Sequence, residues 1–149
     1  MTNITVRPMK EKDINQAADI HRRVTREGLG QGINYTIEDL FISFIKKSPD
    51  TCLVAKTEDK VAGFIIGEIK EWGFGLERSG WIEMIEVDPK YMGSGIGKAL
   101  GEDLIKHFKE KGIKEVYTSV KWDSGDLIAF FKSIGFDKSN FINLEFKSD

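Results

Sequence analysis

A chain of 149 residues with 40% hydrophobic and 31% charged content is long enough for one packed core and too short for two comfortable domains. One globular domain over residues 1–149 is therefore expected. The net charge of −2 and sequence pI near 5.8 supply no basic footprint, so nucleic acid is not an expected partner. The N-terminal stretch "MTNITVRPMKEKD" lacks the apolar core of a signal peptide, and no run approaches the roughly 20 apolar residues of a membrane span. A cytoplasmic protein without membrane attachment is the default. Cys52, the single cysteine, sits in the apolar run "TCLVAKT" and reads as a small buried hydrophobe, with no disulfide within the chain.

Ile4 to Arg7 alternates apolar and polar residues and stops at Pro8, as a first strand does. Ile14, Ala17, Ala18, His21 and Val24 then mark one face of a first helix. His21 reads as a helix-face packing residue, and with His107 as the only other histidine no metal cluster can be built from histidine spacing. Gly28, Gly30 and Gly32 form a loop before a second helix, capped by Thr36 and striped by Ile37, Leu40, Phe41, Phe44 and Ile45, which Pro49 and Asp50 stop. "TCLVAKT" and "KVAGFIIGEIKEW" are strands joined by a hairpin at Glu58 and Asp59, and "WIEMIEV" is a fourth strand after the turn "GFGLERSG". Ile96, Leu100, Leu104 and Phe108 define a third helix ending near Lys111 and Gly112. "EVYTSV" is a fifth strand, Leu127, Phe131 and Ile134 stripe a fourth helix stopped by Gly135, and "FINLEFK" is a last strand. The order is β-α-α-β-β-β-α-β-α-β.

Between the fourth strand and the third helix lies "VDPKYMGSGIGKAL", with Gly93, Gly95 and Gly97 at alternate positions. A glycine-rich turn at a helix start offers free backbone N–H groups at the positive end of the helix dipole, and it lets a ligand come close to a main chain without Cβ atoms. Phosphate is the natural tenant. A P-loop is excluded because Met92 stands where its first glycine belongs and Ala99 where its hydroxyl belongs. The dinucleotide fingerprint fails as well, since its third glycine would fall on Lys98 or Leu100.

"IEVDPKYMGSGIGKALGEDLI" followed by "TSVKWDSGDLIAFFKSIGF" resembles the two core motifs of the GNAT-type N-acetyltransferases, and the element order is similar to theirs along nearly the whole chain. The resemblance implies an α/β (α+β) acyl-CoA N-acyltransferase fold, with a mixed, mostly antiparallel sheet flanked by about four helices. It implies acetyl-CoA as cosubstrate, no metal, a primary amine on a small molecule or a protein as acceptor, and it is compatible with a homodimer. The family's Arg/Gln-x-x-Gly-x-Gly/Ala loop falls on Met92 to Gly97, with Met92 in place of the leading Arg or Gln. By the same resemblance Met92, Gly93, Ser94, Gly95, Ile96, Gly97 and Lys98 hold the pyrophosphate of CoA, and the backbone of Ile85, Glu86 and Val87 pairs with its pantetheine arm like an added strand.

An alkyl ammonium with a pKa of about 10.4 offers only about one part in a thousand free amine near neutral pH, a cost of roughly 4 kcal/mol that a base must help meet. Glu83 and Glu86 lie on the fourth strand an odd number of residues apart, which places them on opposite faces of the sheet, so only one can serve directly. Glu83 matches the position where several family members carry an acid acting through water, and Glu86 is its backup. Where many members have a tyrosine that protonates the leaving thiolate, this chain has Phe131; because a thiol pKa near 8.5 makes thiolate a good leaving group, the missing acid slows transfer without stopping it. Ser124 stands where the family often has Asn and is a candidate helix cap or CoA contact. The implied acceptor rim comprises Glu27, Tyr35, Glu71, Trp72, Phe74 and Glu77, an acidic and aromatic set suited to a cationic amine. A CoA-binding regulatory module that has lost turnover is the alternative, on the strength of Met92 and Phe131, and a loop for an inorganic anion is the third.

Overall fold

The structure is a computed structural model that describes residues 3–25, 36–73 and 77–149. It falls into two compact units, Met1–Ser119 and Val120–Asp149. The first unit holds β1 (Thr5–Pro8), α1 (Ile14–Thr25), α2 (Ile37–Lys47), β2 (Cys52–Thr57), β3 (Lys60–Lys70), β4 (Ser79–Val87), α3 (Ile96–Glu110) and β5 (Val116–Thr118). The second holds α4 (Gly125–Ser133). Four helices and a five-stranded mixed sheet are thus the described architecture, as the resemblance implied.

The sheet runs β1-β2-β3-β4-β5 in chain order, antiparallel up to β4 and parallel between β4 and β5. Glu58 and Asp59 close the β2–β3 hairpin with φ of 52° and 64°, the pair of positive values that a two-residue turn needs to match strand twist. One face packs on α1 and α2 through Cys52, Val54, Phe64 and Ile66, with Phe41 of α2 meeting Phe64 edge-on at 5.0 Å. Thr36 caps α2 as expected, accepting from the Asp39 amide at 3.1 Å. Burial holds the Cys52 thiol well out of the thiolate range, pushed up to about 12, in keeping with its reading as a hydrophobe.

The other face takes α3, and it takes it closely. A Cβ added at Gly63 would stand 2.9 Å from a methyl of Ile96, one at Gly67 3.0 Å from Leu104, and one at Gly80 2.9 Å from the Phe108 ring. Ile96, Leu100, Leu104 and Phe108, the stripe read from the sequence, are all buried there. Val24 departs from its predicted stripe and is 38% exposed at the end of α1.

Within the second unit described by itself, no strand is assigned over residues 140–149, where the sequence places its last strand, and Ile142, Leu144 and Phe146 are 77%, 88% and 91% exposed. A strand is defined by its hydrogen-bonding neighbour, so a short alternating segment is not completed within a unit whose one regular element is α4.

Asp13 ties the start of α1 to β1. Both its oxygens receive Arg7, at 2.7 and 2.8 Å, and one also accepts from the Lys10 amide at 2.9 Å. Burial alone would push this carboxyl up, but the bonds from Arg7 and Lys10 outweigh it and hold the group below its usual value. The pair's stabilisation is therefore complete above the unfolded carboxyl's pKa and is lost as pH falls through the folded value. Asp13→Ala is expected to lower unfolding free energy by roughly 3 kcal/mol at pH 7, as for breaking a buried pair, with the deficit shrinking below about pH 4. Urea titrations of both proteins across pH check this; a deficit independent of pH assigns the loss to packing.

Candidate active site

β4 and β5 pair only over Gly80–Ile82 and Val116–Thr118. Beyond that point β4 continues to Val87, bonded to β3 on one side and to no described strand on the other. The two strands part as a fork. Thr118 marks its closed end by donating its hydroxyl to the Ile82 carbonyl at 3.0 Å. At the same level Ile66 opposes Met84 while Gly67 opposes Ile82, so Glu83 is the extra residue of a β-bulge.

That bulge corrects one sequence expectation. Side chains alternate only along a regular strand, and an inserted residue resets the count. Lys47 of α2 is held above its usual pKa chiefly by Glu68 and in smaller part by Glu83, while Glu86 is bonded to His21 of α1. Glu83 and Glu86 thus both lie on the sheet face that α1 and α2 cover. Glu83 is exposed to solvent there.

The open end of β4 leads into the glycine turn. Asp88 starts a single 3-10 turn, Pro89–Tyr91, and α3 begins at Ile96 with Gly95 as its N-cap. Gly93 and Gly95 have φ of 81° and 87°, left-handed values that cost a residue with a Cβ about 1–2 kcal/mol. No side chain caps α3, which leaves the amides of its first turn without a partner in the helix. Cβ atoms added at Gly93 and Gly95 would meet nothing within 4 Å, so the space outside the turn is open. A pyrophosphate fits these residues: bare backbone, unpaired amides, the dipole's positive end, and Lys98 exposed on the first turn.

His21 is the residue that sequence reading missed as a partner. Its Nδ1 lies 2.7 Å from Glu86 Oε1, with the two side chains 7% and 10% exposed. The other polar atom of each, His21 Nε2 and Glu86 Oε2, is buried without a partner among the described residues, as is the Tyr91 hydroxyl. Burial pushes the Glu86 carboxyl up and the histidine partly offsets this. The signal was weak because 65 residues separate the pair and a histidine on an apolar stripe carries no mark of its partner.

The sequence model of the acetyltransferase (GNAT) family matches residues 15–136. The chain belongs to that family. It is 30% identical over 88 residues to a mycothiol acetyltransferase of Saccharomonospora viridis, covering 57% of this chain and 29% of that protein. It is 27% identical over 132 residues to N-alpha-acetyltransferase 30 of Xenopus laevis, covering 89% of this chain and 46% of that protein. The chain therefore spans less than half the length of these relatives. Among solved structures, AAC(6')-Iy in complex with the bisubstrate analog CoA-S-monomethyl-acetylneamine superposes with a TM-score of 0.80 at 13% identity, over 99% of each chain.

Against the family's pattern, Met92 at the Arg/Gln position is 64% exposed. Ser124 stands at the N-cap of α4 but its side chain makes no cap bond, contrary to the capping expected of it. Phe131 is buried, with ring contacts to Phe130 and Phe136 at 5.2 Å each. Of the acceptor rim, Trp72 is 83% exposed, Glu71 pairs with Arg78 at 3.2 Å, and Glu77 is exposed. Glu27, Tyr35 and Phe74 lie outside the described residues. A cleft of about 440 Å³ lined by Gln16, Asp19, Arg23, Lys60, Asp88 and Tyr91 contains none of the predicted site residues.

Removing His21 leaves a buried carboxylate alone. His21→Ala is expected to cost roughly 3 kcal/mol at pH 8, in the range for breaking a buried pair. Because the folded Glu86 pKa is raised, its charge destabilises only as pH rises through that value, so the deficit should be smaller at pH 5. Chemical denaturation at the two pH values decides; equal deficits would show that His21 acts by packing alone.

Proposed function

We propose that this chain is an N-acetyltransferase that moves the acetyl group of acetyl-CoA to a primary amine, working as one functional domain. The observation that carries the reading is the fork: β4 leaves β5 at Ile82 and runs, unpaired on that side, into an uncapped helix start behind two left-handed glycines. A thioester carried by a long polar arm and a pyrophosphate matches such a groove, with backbone for the arm and amides for the phosphates. AAC(6')-Iy, of the same fold, was solved with a CoA conjugate. When bound, acetyl-CoA supplies an activated acetyl group for direct attack by the amine.

The chain's residues then divide the work. Met92 to Lys98 hold the pyrophosphate, and the main chain of Ile85 to Val87 aligns the arm toward the closed end of the fork. Glu83, exposed on the bulge beside that end, takes the ammonium proton, directly or through water. Glu86 is the weaker choice because one of its oxygens is bound to His21. Ser124 and Phe131 belong to the CoA-binding set by family resemblance, and Phe131 brings no hydroxyl to protonate the leaving thiolate.

Acetyl-CoA at a hundred times its Kd should stabilise the chain by about 2.7 kcal/mol, a rise in Tm of roughly 5–10 °C. Gly95→Val should abolish that rise. Its cost is conformational, since the left-handed φ disfavours any Cβ and a branched side chain disturbs the turn that presents the amides. No shift with the parent protein at millimolar acetyl-CoA would sink the assignment. Glu83→Gln should keep the shift while lowering amine acetylation about 10²- to 10⁴-fold, less at high pH where the amine arrives deprotonated. Unchanged rates across pH would remove Glu83 as the base.

A further inference from the structure

Three strands bring an aromatic pair and a lysine together beside the closed end of the fork. Trp81 of β4 opposes Glu68 of β3 on one side and Tyr117 of β5 on the other. Glu68 reaches Lys47 of α2 at 2.6 Å, which puts this group on the face that α2 covers, the face of Glu83. The Trp81 indole stacks on Tyr117 with centroids 5.0 Å apart and 29° between the planes, and its N–H donates to Ser79 Oγ at 3.0 Å. The Tyr117 hydroxyl donates to the Glu115 carboxylate.

Lys70, two residues along β3 from Glu68, forms no ion pair among the described residues. Its ammonium instead stands 4.2 Å from the centroid of the Trp81 ring. A lysine tip that takes an indole face while Glu68 and Glu83 share the same side of the sheet reports a place that holds a primary ammonium by the ring's quadrupole. Trp81 also immediately precedes Ile82, where β4 and β5 part.

We propose that the Trp81 ring, backed by Tyr117, is the docking site for the acceptor's ammonium, and that Lys70 is a tethered competitor for it. The acceptor class is a primary alkylammonium. It displaces the Lys70 tip and seats its own nitrogen over the indole, beside the closed end of the fork and two residues along β4 from Glu83. Lys70 raises the apparent KM of every acceptor that docks on the ring by one common factor, without touching the acetyl donor. This assignment of the ring to acceptor binding rests on the function proposed above; the ammonium site itself does not.

The test uses the full chain, n-butylammonium as probe and 1-butanol as its neutral counterpart. The three tryptophans give three indole N–H resonances, and Trp81→Phe identifies the one from Trp81. Butylammonium should move that resonance saturably and butanol should not. Lys70→Gln should tighten the amine about 2- to 5-fold, and Trp81→Leu should weaken it about 5- to 30-fold, the range set by one partly desolvated cation–π contact. In turnover with acetyl-CoA, Lys70→Gln should lower the KM for butylamine by the same factor, and kcat should change less than KM. That gain should vanish in the Trp81→Leu background. Equal shifts with butanol, or no effect of Lys70→Gln on amine binding, would overturn the site. Saturable amine binding with no acetyl-CoA stabilisation of the parent would keep the ammonium site and overturn the acetyl-transfer reading instead.

Discussion

Parallel strands bond through evenly spaced, slanted hydrogen bonds, and such a ladder has no internal reason to stop while both strands run on. Between β4 and β5 it stops after Ile82 and Thr118 because the chain makes the two strands unequal. β4 carries an extra residue at Glu83, and a bulge adds local twist and bends the strand that holds it. β5 ends at Thr118, whose hydroxyl is spent on the last shared carbonyl. What remains is a length of β4 main chain held straight by β3 and open on its other side. The groove, the anion-ready helix start beyond it and the carboxylate at its closed end all depend on that parting.

The open strand stays in place because both faces of the sheet behind it are packed hard. Gly63, Gly67 and Gly80 let α3 lie directly on the backbone, and a methyl at any of them would force α3 or its side chains to shift. α3 is thereby held with its uncapped N-terminus a short turn beyond the end of β4. On the opposite face the His21–Glu86 bond anchors α1 to the part of β4 that β5 does not support. A buried pair is a poor source of net stability, but it punishes any arrangement that separates its members. Its effect here is to fix one position of α1 relative to the open strand.

The same face carries two chemically different regions along β4. Toward the glycine turn lie Glu86 and His21, nine-tenths buried and bonded to each other. Toward the closed end lie Glu83, Trp81 and Lys70, more open, with Lys70 over the Trp81 ring.

Periodicity and local chemistry settled much of this from the letters alone. Thr36 capping α2, the turn at Glu58 and Asp59, the buried stripe from Ile96 to Phe108 and the bare turn at Gly93 and Gly95 are local properties, each determined by residues within a few positions of one another. The family motif lies in that same short range. Long-range pairing is another matter, because nothing in a strand's own sequence says what will lie beside it. Glu83 and Glu86 share a face only because β4 slips one residue against β3. His21 finds Glu86, and Lys70 finds the Trp81–Tyr117 stack, only once helix and strands are packed. The sequence by itself determined the helices, the hairpin and the bare glycine turn, since those follow from backbone conformation and the nearest side chains. Which carboxylate is open, which is bound, and where a cation can sit were decided by the tertiary structure, because registry and burial come from contacts across the sheet.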